Sequence, residues 1–377
     1  MSSLRKNIAY ALFPLTMWYA VGVRFRNLFY ALGIKKQEAP HITTIGVGNL
    51  STGGTGKTPH VEYLLRLLAD KYPTAMLSRG YKRKSKGFQL DDGSHDATLL
   101  GDEPAMIARK FPQVQVAVCE KRVEGVKKLM APSDLSDLSD QSDQSDQSEK
   151  KTTPQLIILD DVFQHRAIKP SINILLTEYS HPYYNDHILP YGNLREFKKA
   201  RFRANIVIVT KCPANLNPME KHNIIHDLKL QNYQKVFFSY LKYGELQTLD
   251  GKLAPVDLRR VDKILAVTGI AHPEPMLAEL RRYTKVQHLA FSDHHDFSAG
   301  DIARIKETFA ALSGSNNLII TTEKDAMRLR GKIDGLPVRI LPITVDFHKE
   351  NDKDFDTLVE ASVRENISFL SKLSIWS

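Results

Sequence analysis

Ser51, Thr52, Gly53, Gly54, Thr55, Gly56, Lys57 and Thr58 form an unbroken run with the ingredients of a phosphate grip. Glycines let a backbone curl so that several N–H groups face one anion. Lys57 can place a point charge on β- and γ-phosphates, and the Thr58 hydroxyl can ligate Mg²⁺. The common pattern opens with Gly five residues before the Gly-Lys pair. That place is Ser51 here, and Gly53 and Gly54 are positioned to supply the flexibility. The competing reading is a glycine-rich turn that caps a helix. A preceding strand and a following amphipathic helix weigh against it.

Paired acids supply a second chemistry. Asp160 and Asp161 end the apolar run "LIILDD", and carboxylates at the carboxyl end of a buried strand beside a phosphate loop commonly hold Mg²⁺. In "GDEP", Asp102 or Glu103 could act on a substrate or cap the helix that Pro104 opens. "FSDHHDF" sets His294 and His295 between Asp293 and Asp296, a pattern open to metal binding, acid–base work or a surface turn. Arg79, Lys82, Arg83, Lys84 and Lys86 form a basic run after a strand, able to meet phosphate or simply to face water. Arg195 and Glu196 follow a Pro/Gly loop. "TTEKDAMRL", Thr321–Leu329, brings charges to a strand end without declaring a role.

The elements that must position these groups read as α/β. Ile42–Val47 is a β-branched strand, and Val61, Leu64, Leu65, Leu68 and Ala69 recur at helical spacing after the loop. Further strand-like runs fall at Thr74–Ser78, Val114–Cys119, Leu156–Asp160, Ile172–Thr177 and Asn205–Thr210. Apolar strands alternating with helices predict a parallel sheet sandwiched by helices. A second pattern has strands at Lys263–Thr268, Val286–Phe291 and Leu318–Thr322, with helices at Pro275–Tyr283 and Ala299–Leu312. The expected divisions are an N-terminal helical segment at 1–40, a phosphate-loop domain at 41–215, a linker at 216–260 and a smaller C-terminal α/β domain at 261–377. Lys235–Gly251 reads as a hairpin or linker. The Ser/Asp-rich repeat within 132–151 has no core-forming face and reads as a solvated, disordered insertion.

Ile8–Val23 is almost wholly apolar, yet sixteen helical residues reach only about 24 Å against a hydrocarbon core of roughly 30 Å. Pro14 further weakens a straight span. Arg5, Lys6, Arg24 and Arg26 flank the stretch, and Tyr10, Trp18 and Tyr19 favour an interface. A helix lying on a membrane surface is therefore expected rather than a span, with a core helix pair as the alternative.

The 377 residues carry 52 Lys and Arg against 43 Asp and Glu, a net charge of +9. With the six acids of Ser133–Glu149 set aside, 52 basic residues face 37 acidic ones, a surplus of +15. A basic body suits a nucleotide, a nucleic acid or an anionic membrane. Nucleic-acid binding alone leaves the paired acids unexplained. Cys119 and Cys212 are the two cysteines, so no disulfide framework or Cys-rich metal site is encoded. No signal-peptide cleavage pattern is visible.

In order and spacing, "GNLSTGGTGKTP", "LSRGY", "GDEP", "LDDVFQH", "LREF", "FSDHHDF" and "TTEKD" resemble the tetraacyldisaccharide 4'-kinase family, from about Asn7 to the C-terminus without the Ser/Asp repeat. The resemblance implies a peripheral enzyme on the cytoplasmic face of the bacterial inner membrane. It implies ATP and Mg²⁺ as cofactors, ATP held between two domains, and a phosphorylated disaccharide lipid as product. By matching motif positions, Asp102 takes the role of base coupled to His294, and Asp160 and Asp161 that of metal carboxylates. Arg79, Tyr81, His165, Arg195 and Glu196 fall near the lipid head group. Val162, Lys82 and Phe197 depart from the family's more usual Gly, Gly and Pro, which bears on the loops around the acceptor. The rival is a membrane-associated ATPase or GTPase switch. "IVIVTKC" imitates a guanine-recognition strand, but Pro213 stands where its Asp is expected.

Overall fold

The computed structural model describes residues 3–81, 83–131, 153–293, 295–349 and 354–374, with backbone alone for 3–13. Lys82, His294 and the 132–151 repeat lie outside the described residues. The chain divides into two compact units, Met1–Leu241 with Val345–Ser377, and Lys242–Thr344.

The first unit begins with α1 (Ser3–Ala31), β1 (Thr43–Asn49), α2 (Lys57–Leu68), β2 (Thr74–Ser78) and β3 (Gln89–Leu90). It continues with α3 (Ala97–Leu100), α4 (Asp102–Lys110), β4 (Gln115–Val118), α5 (Arg122–Met130), β5 (Leu156–Asp160) and β6 (Ile172–Glu178). Then come β7 (Ile206–Thr210), α6 (Pro218–Leu228) and β8 (Lys235–Tyr243). The second unit holds β9 (Lys263–Thr268), α7 (Glu274–Arg281), β10 (Lys285–Ala290), α8 (Ala299–Ala310), β11 (Asn317–Thr321), α9 (Glu323–Leu329) and β12 (Val338–Ile340). Through β13 (Ile343–Phe347) the chain returns to the first unit, where α10 (Phe355–Ser374) follows.

Among the described residues the first unit's sheet has the order β13-β8-β7-β6-β1-β5-β2-β4-β3. From β8 to β4 the neighbours run parallel, and β3 is antiparallel at the edge. Alternate residues of each buried strand serve opposite faces. Ile158 joins Val61, Leu64, Leu65 and Leu68 of α2, whereas Ile157 and Leu159 join Val126 and Leu129 of α5. Covered on both faces, the strands are apolar throughout, as parallel sheets require. The second unit's sheet is also parallel, in the order β10-β9-β11-β12.

Three sequence expectations change. Lys235–Gly251 is no linker, because its first nine residues form β8, which pairs parallel with β7 and buries Phe237 and Phe238. Exposed and half-buried residues at both of its ends mask three consecutive buried positions, Phe237 to Ser239. The expected linker at 216–260 also contains α6, which packs Ile224 and Leu228 against β7 and β8. The final helix, expected in the second domain, packs with the first. Phe355, Val359 and Val363 of α10 share a core with Ile45 and Leu64, and Thr43 Oγ1 donates to Asn366 Oδ1 at 3.0 Å.

Helix α1 is continuous through Pro14 and longer than the apolar run that announces it. One side is tied down: Thr16 Oγ1 accepts from the Tyr191 amide at 3.1 Å, and the Tyr19 hydroxyl donates to the Arg195 carbonyl at 3.0 Å. Arg26 pairs with Glu196 on that side. Leu15, Trp18 and Phe25, at helical spacing, stand 58%, 78% and 55% exposed on another. No helix among the described residues is long and apolar enough to cross a membrane.

Candidate functional site

Val47 lies opposite Asp160 in the β1–β5 pairing, so one crevice receives both the glycine loop and the Asp160-Asp161 pair. Here the sheet's order diverges, with β5 on one side of β1 and β6 on the other, the kind of switch point where open parallel sheets bind ligands. A Cβ on Gly48 would stand 2.6 Å from Phe163 Cβ. Glycine there lets the turn after β5 close directly onto β1.

Gly56 holds the N-cap of α2 at φ 85°, ψ 26°, and no side chain caps the helix. Helix geometry leaves the Lys57 and Thr58 amides without intrahelical acceptors, and Pro59 has no amide. The loop is braced from behind. Asn49 Nδ2 donates to Thr55 Oγ1 at 2.8 Å, and Thr210 Oγ1 donates to the Thr55 carbonyl at 2.9 Å. His60 Nδ1 meets the Gly56 carbonyl at 2.7 Å, so Nδ1 carries the proton and Nε2 accepts from Ser239 Oγ at 2.9 Å. Burial holds His60 down at about 4 against the opposing Gly56 hydrogen bond, which keeps that tautomer neutral at pH 7. The amides of Thr52 and Thr55 are engaged by the carbonyls of Asn193 and Gly53, at 2.8 and 3.1 Å. These two amides are therefore not among the several that can face an anion.

Asp161 is the hub of the crevice. Its Oδ1 lies 3.6 Å from Lys57 Nζ, and Arg195 clasps both oxygens, Nη2 at 3.0 Å and Nη1 at 3.3 Å. Arg195 Nη2 also donates to Asn49 Oδ1. Burial raises the Asp161 pKa, but Lys57, then Arg195 and Arg122, outweigh it and bring it to about 2.

Asp160 goes the other way. Burial, then the charges of Glu103 and Asp161, push its carboxyl up to about 6 against Lys57 and Arg122. Oδ2 accepts from Ser78 Oγ at 3.1 Å, while Oδ1 is buried without a hydrogen-bond partner. Thr58 Oγ1 donates to Glu103 Oε2 at 3.0 Å. An orphaned carboxylate oxygen that feels the charges of Glu103 and Asp161 fits a small hard cation with oxygen ligands. Among the described residues no three His, Cys, Asp or Glu side chains are grouped to cage a metal. Mg²⁺ usually keeps several waters and binds through one or two carboxylates plus substrate phosphates, so such a small set of protein oxygens would suit it.

A stability prediction follows from the sign of the Asp160 shift. Its folded pKa lies above 3.8, so its contribution is full below about pH 4 and is lost as pH rises through about 6. In chelator at pH 8, Asp160→Asn should melt higher than the parent, by up to about 3 kcal/mol of stability. The gap should narrow toward pH 5, and Mg²⁺ should raise the parent's melting temperature more than the variant's. Equal melting at pH 8 in chelator would remove the argument for a cation site.

The model of the tetraacyldisaccharide-1-P 4'-kinase family matches residues 8–364. The chain belongs to that family. It is 40% identical over 367 residues to the tetraacyldisaccharide 4'-kinase of Bacteroides fragilis, covering 94% of this chain and 93% of the relative. The Flavobacterium johnsoniae enzyme of the same name is 40% identical over 370 residues, covering 97% and 99%. Among solved structures, the "apo" form of LpxK from Aquifex aeolicus in complex with ATP matches with a TM-score of 0.70 and 27% identity, covering 94% of this chain and 99% of that one.

The family motifs converge unevenly. Lys57, Thr58, Asp160, Asp161 and Arg195 meet in the crevice. Asp102 opens α4 beside Glu103; Gly101, at φ 90°, holds the N-cap without a side-chain cap, so neither acid has that role. Burial, then Arg122 and Arg79, hold His165 down at about 4, a neutral imidazole at pH 7. Tyr81 stands 69% exposed just past β2. Glu196 is fully buried, paired with Arg26 and Arg203.

Sequence reasoning passed over Asn49 and Arg122. Arg122 donates to the Cys119 carbonyl at 2.6 Å and the Asp160 carbonyl at 2.9 Å, joining the ends of β4 and β5. Its one sequence signal is a cation just past the carboxyl end of a parallel strand.

In the second unit, His294 lies outside the described residues. His295 Nε2 is 3.0 Å from Asp301 Oδ2, within the capping box of α8. Asp325 of "TTEKD" accepts from the Gly269 amide at 2.9 Å and the Thr322 hydroxyl at 2.7 Å. That motif ties the end of β9 to the start of α9.

Proposed function

We propose that this chain transfers the γ-phosphoryl group of ATP to the 4'-hydroxyl of a tetraacyldisaccharide 1-phosphate, producing the bis-phosphorylated lipid A precursor. The observation carrying the site assignment is the meeting of Lys57, Asp161 and Arg195 beside an uncapped helix N-terminus. The family match over residues 8–364 supplies the acceptor class. A nucleotide switch has no use for that acceptor, and Pro213 breaks the guanine-recognition pattern.

In this reading the phosphates lie on the Lys57 and Thr58 amides, where the helix end favours an anion. The Lys57 ammonium, steered by Asp161, neutralises charge on the β- and γ-oxygens. Thr58, Asp160 and Asp161 would hold Mg²⁺, which would supply further neutralisation of the phosphates. Asp102 accepts the proton of the attacking hydroxyl. The deciding assay offers labelled ATP with an acylated diglucosamine 1-phosphate in detergent micelles. Label should move to the lipid; hydrolysis alone, unchanged by the lipid, would overturn the proposal.

Membrane attachment belongs to the same reading. The stripe of Leu15, Trp18 and Phe25 suits the interface of the inner membrane's cytoplasmic face. Burying one such side chain contributes about 1.5–3 kcal/mol. Trp18→Glu with Phe25→Glu should therefore weaken binding to anionic vesicles by about 100-fold or more. Thermal melting should be unchanged, since both side chains face away from the fold. Sedimentation with vesicles measures the loss, and undiminished binding would assign attachment elsewhere.

A further inference from the structure

Two helices carry the two halves of the proposed chemistry. Helix α2 opens with Lys57 and Thr58, and α4 opens with Asp102 and Glu103. Where Asp102 stands relative to the phosphates therefore depends on how α4 is set against α2. Ile107 and Ala108 of α4 share a core with Val61, Leu64 and Leu65 of α2. Apolar contact is non-directional, so it defines the rotation of α4 about its own axis only weakly. No side chain caps α4, since Gly101 holds that place.

Polar contacts supply direction at both ends of α4. At its start, Thr58 Oγ1 donates to Glu103 Oε2 at 3.0 Å. At its last residue, Lys110 Nζ donates to Glu62 Oε2 at 2.7 Å. The Glu62 side chain is 3% exposed and that of Lys110 26%. Glu103, Ile107 and Lys110 follow one another at i, i+4 and i+7, so they share one face of α4. Thr58, Glu62 and Leu65 share a face of α2 by the same spacing. Asp102 lies about 100° round α4 from Glu103. Pinning the Glu103–Lys110 face at both ends therefore fixes the direction in which Asp102 leaves the helix.

Arg66 Nη2 also donates to Glu62 Oε2, at 3.0 Å, but from one turn along α2 itself. It holds the carboxylate without joining the two helices. A buried ion pair adds little net stability over apolar side chains of similar volume, and its best-attested use is to fix register. Lys110 is eight residues from Asp102, about 12 Å along the helix, too far to touch reacting atoms.

Resting on the proposed kinase activity with Asp102 as its base, we infer that Glu62 and Lys110 are positioning residues: their ion pair locks α4 against α2 and so holds Asp102 at a set distance and angle from the phosphates that α2 grips. The pair acts on the reaction only through Asp102, and it takes no part in binding ATP.

Lys110→Met keeps an unbranched stem and removes the ammonium, while Glu62 retains Arg66 as a partner. With ATP and the acylated disaccharide 1-phosphate in detergent micelles, kcat should fall by about 10- to 100-fold, the scale set by a misplacement of about 1 Å. KM for ATP should not change. Lys110→Arg should recover most of the loss, and Arg66→Gln should leave kcat at the parent's value. The decisive measurement is the cycle with Asp102→Asn. Added to Asp102→Asn, Lys110→Met should cost no further kcat, whereas a general structural loss would multiply with it. If Lys110→Met melts below the assay temperature, Glu62→Gln, which keeps the shape and removes the charge, completes the same cycle. Losses that multiply, or normal kcat in Lys110→Met beside a slow Asp102→Asn, would overturn the positioning role and leave the base assignment standing. Near-normal kcat in Asp102→Asn, or a parent protein that does not phosphorylate the lipid, would overturn the underlying reading, and the positioning role with it.

Discussion

Asp161→Asn should lower turnover by about 10²- to 10³-fold, the range seen when one preorganised electrostatic contact to a transition state is removed. Asp161 is held at φ 47°, left-handed geometry that Asn accepts as readily as Asp. The substitution therefore removes charge and little else, and melting should stay within about 2–4 °C of the parent. What it takes away is the partner of two cations. Lys57, 3.6 Å from the carboxylate, and Arg195, paired with both oxygens, would lose the charge that orients them. The Mg²⁺ site would lose one of its two strand-end acids. Single-turnover transfer from labelled ATP, measured across a Mg²⁺ titration, should show a slower plateau and a higher half-saturating Mg²⁺. A plateau within threefold of the parent would show that the Lys57–Asp161–Arg195 cluster is architectural. Asp161→Ala is a poorer test, because it adds backbone strain to the loss of charge.

Asp102→Asn should slow transfer by about 10²- to 10⁴-fold, the usual value of a positioned general base. The bland alternative is that Asp102 interacts with the N-terminal end of α4. That role is worth about 0.3–1 kcal/mol and would appear as a small fall in melting temperature with normal chemistry. The two roles separate cleanly. A base variant keeps its affinity for ATP and loses kcat, whereas a destabilised helix keeps kcat per folded molecule. Nucleotide binding measured by calorimetry alongside kcat decides the matter, and near-normal kcat would reject the base assignment. Glu103 is the informative neighbour. Its carboxylate accepts from Thr58 and its charge helps raise the Asp160 pKa, which sets it beside the proposed cation site.

The amino-acid sequence alone determined where the locally placed groups fall. Gly56, Lys57 and Thr58 are legible because strand, loop and helix are contiguous, and each residue's task depends on neighbours a few positions away. Asp160 and Asp161 are legible because an acid directly after buried β-residues has to emerge at a strand end. The alternation of apolar strands and helices announced a parallel sheet for the same reason, since two covered faces leave no polar stripe. Tertiary structure decided everything that depends on distant segments meeting. Arg195 reaches Asn49 across 146 positions, and Glu196 reaches Arg26 across 170, distances over which no periodicity carries information. Those meetings turn a Pro/Gly loop into one wall of the crevice and bury Glu196 between two guanidiniums. The assignment of α10 to the first unit has the same origin. An amphipathic helix specifies that it must bury one face, and here the sheet exposing Ile45 and the helix presenting Leu64 determine where Phe355, Val359 and Val363 go.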